Sequence, residues 1–316
     1  RLIALWSNYP AIKEEMAAFE QYLDKKLTSR NSFLKNASRE VVLSGGKRLR
    51  PAFAIIAALH GDYDRNRIFP AAASVEVLHA ATLVHDDIID NAKIRRGQLT
   101  ISEKHNTNLA VYTGDYLLTK SLRLLLETGL KPDKLGILAR SISLLCEGEV
   151  EQYLGKYSVI SVYQYLKRIL SKTGVLFSAA MILGAKTANL TDDAARRFGQ
   201  FGMCFGAAFQ IRDDLKDLLS EEKTEGKPVL NDLKEGIVTL PVIMAVKNNP
   251  KILKEVNDYF NGIGDIYNLM SSILTSDGVR DSEKLKNRYI EKCRKIIKEL
   301  PQTPYTGALS EIVEWL

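Results

Sequence analysis

One acidic pattern occurs twice in this chain, each time inside an apolar segment with helical spacing. His85-Asp86-Asp87-Ile88-Ile89-Asp90 follows Ala80-Ala81-Thr82-Leu83-Val84, and Asp213-Asp214-Leu215-Lys216-Asp217 comes soon after Phe205-Gly206-Ala207-Ala208-Phe209. On a helix, residues three and four apart share a face. Asp86 or Asp87 therefore points the same way as Asp90, and Asp213 or Asp214 the same way as Asp217. Carboxylates crowded in this manner repel one another unless a cation sits on them. Hard, oxygen-seeking Mg²⁺ suits such a patch, because it keeps several waters and bridges one or two carboxylates to phosphate oxygens. An acidic helix turn is ordinarily a solvated face. Here the flanks are apolar, so the carboxylates emerge from otherwise buried helices and line a cavity.

Nearly every long segment keeps the helical period, and no alternating run is long enough for a strand. Helices are expected at about 10–28, 32–43, 51–60, 102–128, 134–154, 161–185, 191–219 and 238–247, and then on to the end. Pro70 is expected to open the long helix that carries the first motif, with Glu76, His79, Leu83, Asp86 and Asp90 near one face. Ser102 and Thr191 read as N-caps. Gly45-Gly46 stops one helix, and Pro51 suits the first turn of the next. Arg95-Arg96-Gly97-Gln98 reads as an exit loop, and residues 221–235 as a charged loop. One all-α domain over residues 1–316 is the simplest organisation.

With 46% apolar residues, the 316-residue chain can build a sizeable core. Its net charge is +6 and its pI about 9.0, but Lys and Arg are spread along its length. Nothing therefore points to nucleic acid, whereas an anionic substrate or membrane surface fits the charge. Cys146, Cys204 and Cys293 are odd in number and far apart, as in a reduced, intracellular protein without a zinc site. No apolar run is read as reaching the roughly 18 residues of a membrane span, and Arg1-Leu2-Ile3 does not continue into a signal peptide. The expected location is the cytoplasm. No G-x-G-x-x-G or Walker A loop is present, so a nucleotide-binding fold has no support.

Three basic groups could complete a phosphate-binding site. Lys47 and Arg50 lie in Gly45-Gly46-Lys47-Arg48-Leu49-Arg50-Pro51, ahead of an apolar helix. Arg95 and Arg96 follow the first acidic motif, and arginine forks grip phosphate oxygens in pairs. Lys172-Thr173 interrupts an otherwise apolar helix. Lys227 and Lys234, after the second motif, could close over a bound anion, although a loop lysine taken alone is usually solvated. His79 taken alone reads as a core histidine; its place ahead of Asp86 strengthens the case for a binding role.

Together these motifs resemble the trans-isoprenyl diphosphate synthases, or polyprenyl synthetases. The resemblance runs from about Gly45 to Pro241. It comprises G-G-K-R-L-R-P, E-x-x-H-x-x-x-L-x-H-D-D-x-x-D with R-R-G after it, the K-T pair, F-Q-x-x-D-D-x-x-D, and G-K-P-x-x-x-D-L-x-x-G-x-x-T-L-P. The first motif, with Ile88 and Ile89 between its acids, is similar to that of bacterial medium- and long-chain enzymes, including the catalytic component of heteromeric hexaprenyl and heptaprenyl diphosphate synthases. The resemblance implies the isoprenoid synthase fold, a single large helical bundle around a central cavity.

The resemblance also implies roles. Asp86, Asp90 and Asp213 would hold three Mg²⁺ ions on an allylic diphosphate, with Asp87, Asp214 and Asp217 in support. Arg95, Lys172, Gln210 and Lys227 would grip that diphosphate, with help from Lys234, and Thr173 belongs to the same set. Lys47, Arg50, His79 and Arg96 would hold isopentenyl diphosphate, with Phe209 beside its carbon skeleton. Ionisation, condensation and elimination need no protein base, because the proton can leave with the departing diphosphate; water must be kept from the cation.

The helix rise of about 5.4 Å per turn approximates one isoprene unit. Leu78, Ala81 and Thr82 would then set product length. Small residues at 81 and 82 imply a C30–C40 product of the kind used in quinone side chains, grown from farnesyl diphosphate. Expected partners are a second copy or a small helical subunit; in the alternative reading the chain is a catalytic subunit inactive without that small subunit, and peripheral membrane contact would help product release. A terpene cyclase is the rival on the same fold, but it would lack the second D-D-x-x-D and G-G-K-R-L-R-P. Arg212 and Lys216 depart from the family pattern beside the second motif; they face outward or weaken metal binding there.

Overall fold

The computed structural model describes residues 6–219 and 230–316. Lys227 and most of the charged loop around it lie outside these residues. The described chain is all-α apart from one two-residue hairpin, Ile94–Arg95 paired antiparallel with Gln98–Leu99. It divides into two compact units. The first comprises Arg1–Ala139, Leu176–Gly199 and Glu299–Ile312; the second comprises Arg140–Val175, Gln200–Lys298 and Val313–Leu316.

In the first unit, the Arg65–Ile89 helix packs along the Thr107–Leu126 helix and against Leu49–Ala58. From Pro51 onward the last of these is apolar on every side, and Ala52 through Ala57 are wholly buried, as an apolar helix demands. The Val175–Thr187 helix approaches it backbone to backbone at Gly184. A Cβ on Gly184 would lie 2.1 Å from the Ala54 carbonyl oxygen. The register between Arg65–Ile89 and Thr107–Leu126 is marked at two levels. His85 lies over Gly114 with Nε2 3.4 Å from Asp115, and Ser121 Oγ donates to the Ser74 carbonyl at 2.7 Å.

The second unit is built from Val162–Ile169, the later part of Asp192–Leu219, Leu240–Asn248, Lys251–Phe260, Ile266–Thr275 and Gly278–Glu299. Phe201, Phe205 and Phe209 stack one turn apart on a single helix, and Trp315 continues the ladder 6.1 Å from Phe209.

Several boundaries differ from those expected. The long helix begins at Arg65, capped by the Asp64 carboxylate, which accepts from Asn66 N at 2.9 Å. Pro70 lies inside it at the cost of one backbone bond. The expected 102–128 helix is broken: Thr100 caps a short Ile101–Lys104 turn, Asn106 caps Thr107–Leu126, and Ser102 is no cap. Thr191 does cap its helix, accepting from Ala194 N. The expected exit loop is the hairpin; its turn residues Arg96 and Gly97 both have positive φ, 52° and 79°, as a tight two-residue turn requires. The end of the expected 221–235 loop is helical at Asn231–Lys234.

Residues Leu170–Gly174 form a π-turn inside the expected 161–185 helix. Two helical runs, Arg65–Ile89 and Val162–Thr187, are in fact long and apolar enough to cross a membrane, contrary to the sequence reading. Of their apolar windows 78% and 72% are buried in the fold, which marks them as core helices.

Candidate functional site

The first unit gathers cations beside the first acidic motif. Arg96 occupies the hairpin turn in a left-handed conformation that costs a non-glycine residue about 1 kcal/mol or more. Its guanidinium donates to the Gly45 carbonyl. Gly46 permits the approach, since a Cβ there would stand 3.0–3.2 Å from the Arg96 guanidinium. Arg50, in the first turn of Leu49–Ala58, lies over the Phe177 ring at 4.6 Å. Its Nε is buried and has no hydrogen-bond partner among the described residues. Burial pushes the Arg50 guanidinium down to about 10, with Glu76 opposing the shift and Arg96 adding to it.

His79 is half-buried on the Arg65–Ile89 helix. Burial, and then the charges of Arg50, Arg96, Arg95 and Arg48, hold its imidazole well below the usual range and therefore neutral. Lys47 is exposed on the same turn as Arg48. An open pocket lined by Ser44, Leu83, Asp87, Arg95 and Arg96 adjoins the hairpin.

The acids divide by position. Asp87 is buried and accepts from Arg95 Nε at 2.6 Å; burial nevertheless raises its carboxyl, with Asp90 contributing. Asp86 is half-buried and Asp90 exposed. All three lie in the last turn of Arg65–Ile89 or at its C-cap, where the helix dipole already disfavours negative charge. A cation there relieves both the dipole and the mutual repulsion.

The second unit repeats the division. Asp214 is buried and accepts from Tyr165 Oη at 2.7 Å and from Gln210 Nε2 at 2.9 Å. Gln210 in turn accepts from Thr173 Oγ1 at 2.8 Å, so the π-turn reaches the second motif through one amide. Burial raises the Asp214 carboxyl to about 6, against Tyr165, Gln210 and Arg168. Asp213 is half-buried, and Asp217 accepts from the backbone of Asn231 and Asp232 at 3.3 Å. Lys172 pairs with Glu149 at 2.9 Å.

Arg212 donates to the Trp315 carbonyl at 3.0 Å and lies 3.6 Å over its ring. Phe209 stacks on the same indole, so Trp315 holds the Arg212 guanidinium beside the second motif. Lys216 and Lys234 are exposed. Leu78 and Ala81 are buried, and Thr82 hydrogen-bonds to the His79 carbonyl.

Among the described residues no three His, Cys, Asp or Glu side chains converge to hold a metal by themselves. The donors are nonetheless hard carboxylate oxygens in i,i+4 pairs. They suit an ion that keeps its remaining positions for water and phosphate. The sequence reading did not single out Tyr165, Arg168, Glu149 or Trp315 for the site. Tyr165, Arg168 and Lys172 share one helical face, a usable signal. Glu149 and Trp315 come from distant segments and left none.

The polyprenyl synthetase family model matches residues 31–268. The chain is 35% identical to heptaprenyl diphosphate synthase component 2 of Geobacillus stearothermophilus, over 99% of this chain and 98% of that one. It is 37% identical to geranylgeranyl diphosphate synthase of Sulfolobus acidocaldarius, over 73% and 76% of the two chains. Among solved structures, heptaprenyl diphosphate synthase from Staphylococcus aureus superposes with a TM-score of 0.87 at 32% identity, covering 96% of each chain.

Proposed function

The chain belongs to the polyprenyl synthetase family and is a prenyltransferase with the isoprenoid synthase fold, and on that premise we propose that it joins isopentenyl diphosphate to an allylic diphosphate, farnesyl diphosphate, to give a C30–C40 product. The observation that carries this reading is Arg50: a half-buried arginine whose Nε is buried and unpartnered among the described residues, beside Arg96 and a neutral His79. Such a donor is costly unless an acceptor completes it. A diphosphate supplies that acceptor without a metal, and the imidazole adds a donor. Lys47 lies on the same turn. These four residues take isopentenyl diphosphate.

The half-buried or exposed aspartates, Asp86, Asp90 and Asp213, would hold Mg²⁺. The metal, when bound, would supply positive charge that offsets the charge on the leaving diphosphate. Asp87 and Asp214 keep those carboxylates in place through Arg95 and through Tyr165 and Gln210. Arg95, Lys172, Gln210 and Lys234 grip the allylic diphosphate, Lys172 exchanging its Glu149 partner for phosphate. The allylic C–O bond breaks, the double bond of isopentenyl diphosphate attacks the cation, and the proton leaves with the released diphosphate. Phe209 packs beside the carbon skeleton, and the buried walls around both motifs keep water away. Small side chains at Ala81 and Ser74 favour a long product.

Calorimetry tests the division of labour. Isopentenyl diphosphate should bind with Mg²⁺ removed by EDTA, whereas the allylic diphosphate should need the metal. Loss of isopentenyl diphosphate binding in EDTA would refute the assignment. A second reading is favoured by the relatives named component 2: the chain is a catalytic subunit that works only with a small helical partner. We place it in the cytoplasm, peripheral to the membrane.

A further inference from the structure

The turn that carries Lys47 and Arg50 is strained. Gly45, Gly46 and Arg48 have φ of 94°, 120° and 47°. The glycines adopt such angles freely, but Arg48 does not. Its side chain is held from two other helices. Nη1 donates to Glu76 Oε1 at 2.8 Å, Nε to Glu20 Oε1 at 2.7 Å and Nη2 to Glu20 Oε2 at 3.4 Å. The Arg48 and Glu76 side chains are 12% and 10% exposed. Glu76 lies one turn before His79 on the Arg65–Ile89 helix, and Glu20 comes from Pro10–Lys26. Arg48 is therefore neutralised, in contrast to Arg50, although the two are neighbours in one motif.

Two effects of Glu76 on anion binding have opposite signs. As a negative charge among Arg48, Arg50 and Arg96, it should weaken the binding of a diphosphate. As the anchor of Arg48, it should strengthen binding by fixing the turn. A pre-set cluster of donors spares the ligand the cost of ordering them.

We propose that Glu76, assisted by Glu20, is a positioning residue: it clamps Arg48 and thereby holds the strained turn that presents Lys47 and Arg50 to isopentenyl diphosphate. This rests on the assignment of that substrate to the cationic cluster. Arg48 is the strut of the site and makes no contact with the ligand.

Glu76→Gln keeps the shape and removes the charge. By calorimetry without metal, its affinity for isopentenyl diphosphate and for inorganic pyrophosphate should fall about 10-fold or more. KM for isopentenyl diphosphate should rise in parallel, while KM for the allylic substrate and kcat at saturation stay within about 2-fold. Combining it with Arg48→Gln should weaken binding little beyond the worse single variant, because the two act as one unit. Tighter or unchanged anion binding would overturn the proposal. So would an equal loss for both substrates together with a lower thermal midpoint, which marks a merely structural role.

If Glu76→Gln fails to fold, Glu20→Gln carries the test. Its carboxylate is 40% exposed, and it should weaken both ligands in the same direction by about 3-fold. Wild-type binding of pyrophosphate without isopentenyl diphosphate would defeat the substrate assignment, and the clamp would still be judged on pyrophosphate.

Discussion

On the proposed reading, Arg50 would give up stability for substrate binding. A buried donor without a partner costs about 1–3 kcal/mol, and the contact of Arg50 with the Phe177 ring leaves its Nε without an acceptor among the described residues. Arg50→Met should therefore fold with a thermal midpoint equal to or above that of the parent, while affinity for isopentenyl diphosphate drops about 100-fold. A lower midpoint with binding retained would mean that Arg50 is a packing residue. The second unit carries a related tension. Burial raises Asp214 to about 6 and Asp232 to about 7, against an ordinary value of 3.8. In metal-free protein the folded state keeps protons that the unfolded chain has already lost. This contribution to stability is complete below about pH 4 and is lost as pH rises through 6 and 7. Asp232→Asn should flatten the fall in stability between pH 5 and 8 and make the protein more stable than the parent at pH 8. Urea melts across that range would contradict the account if the slope were unchanged.

At the scale of elements, close helix approach and product length can be probed separately. Gly184→Ala drives a Cβ into the Ala54 carbonyl and should cost about 2–3 kcal/mol in thermal unfolding; a smaller loss would mean that the two helices can part. Ala81→Phe should shorten the product to C15 or C20, and an unchanged product would place the growing chain elsewhere. Most helices were legible in the sequence because burial sets their period: the cores of Leu49–Ala58 and Arg65–Ile89 could be read from apolar residues, although their starts, expected at Pro51 and Pro70, lie earlier. The hairpin was not, because two-residue strands have no alternation to detect. The π-turn at Leu170–Gly174 escaped because period arguments assume one helical pitch; a Cβ on Gly174 would meet Met203 Sδ at 2.7 Å. The aspartates and arginines could be named from their motifs. Their sorting into buried and more accessible carboxylates depended on Tyr165 and on the hairpin, which only the folded chain brings to Asp214 and Asp87.

For the whole molecule, one unit carries the first acidic motif and the cationic cluster, and the other carries the second motif and Lys172. The family match, residues 31–268, runs through both. Relatives range from geranylgeranyl to heptaprenyl diphosphate synthases. The most direct measurement incubates the purified chain alone with Mg²⁺, farnesyl diphosphate and labelled isopentenyl diphosphate and sizes the extracted lipids. The account predicts a ladder ending at one length between C30 and C40. No turnover, either alone or with a small helical partner subunit, would contradict it.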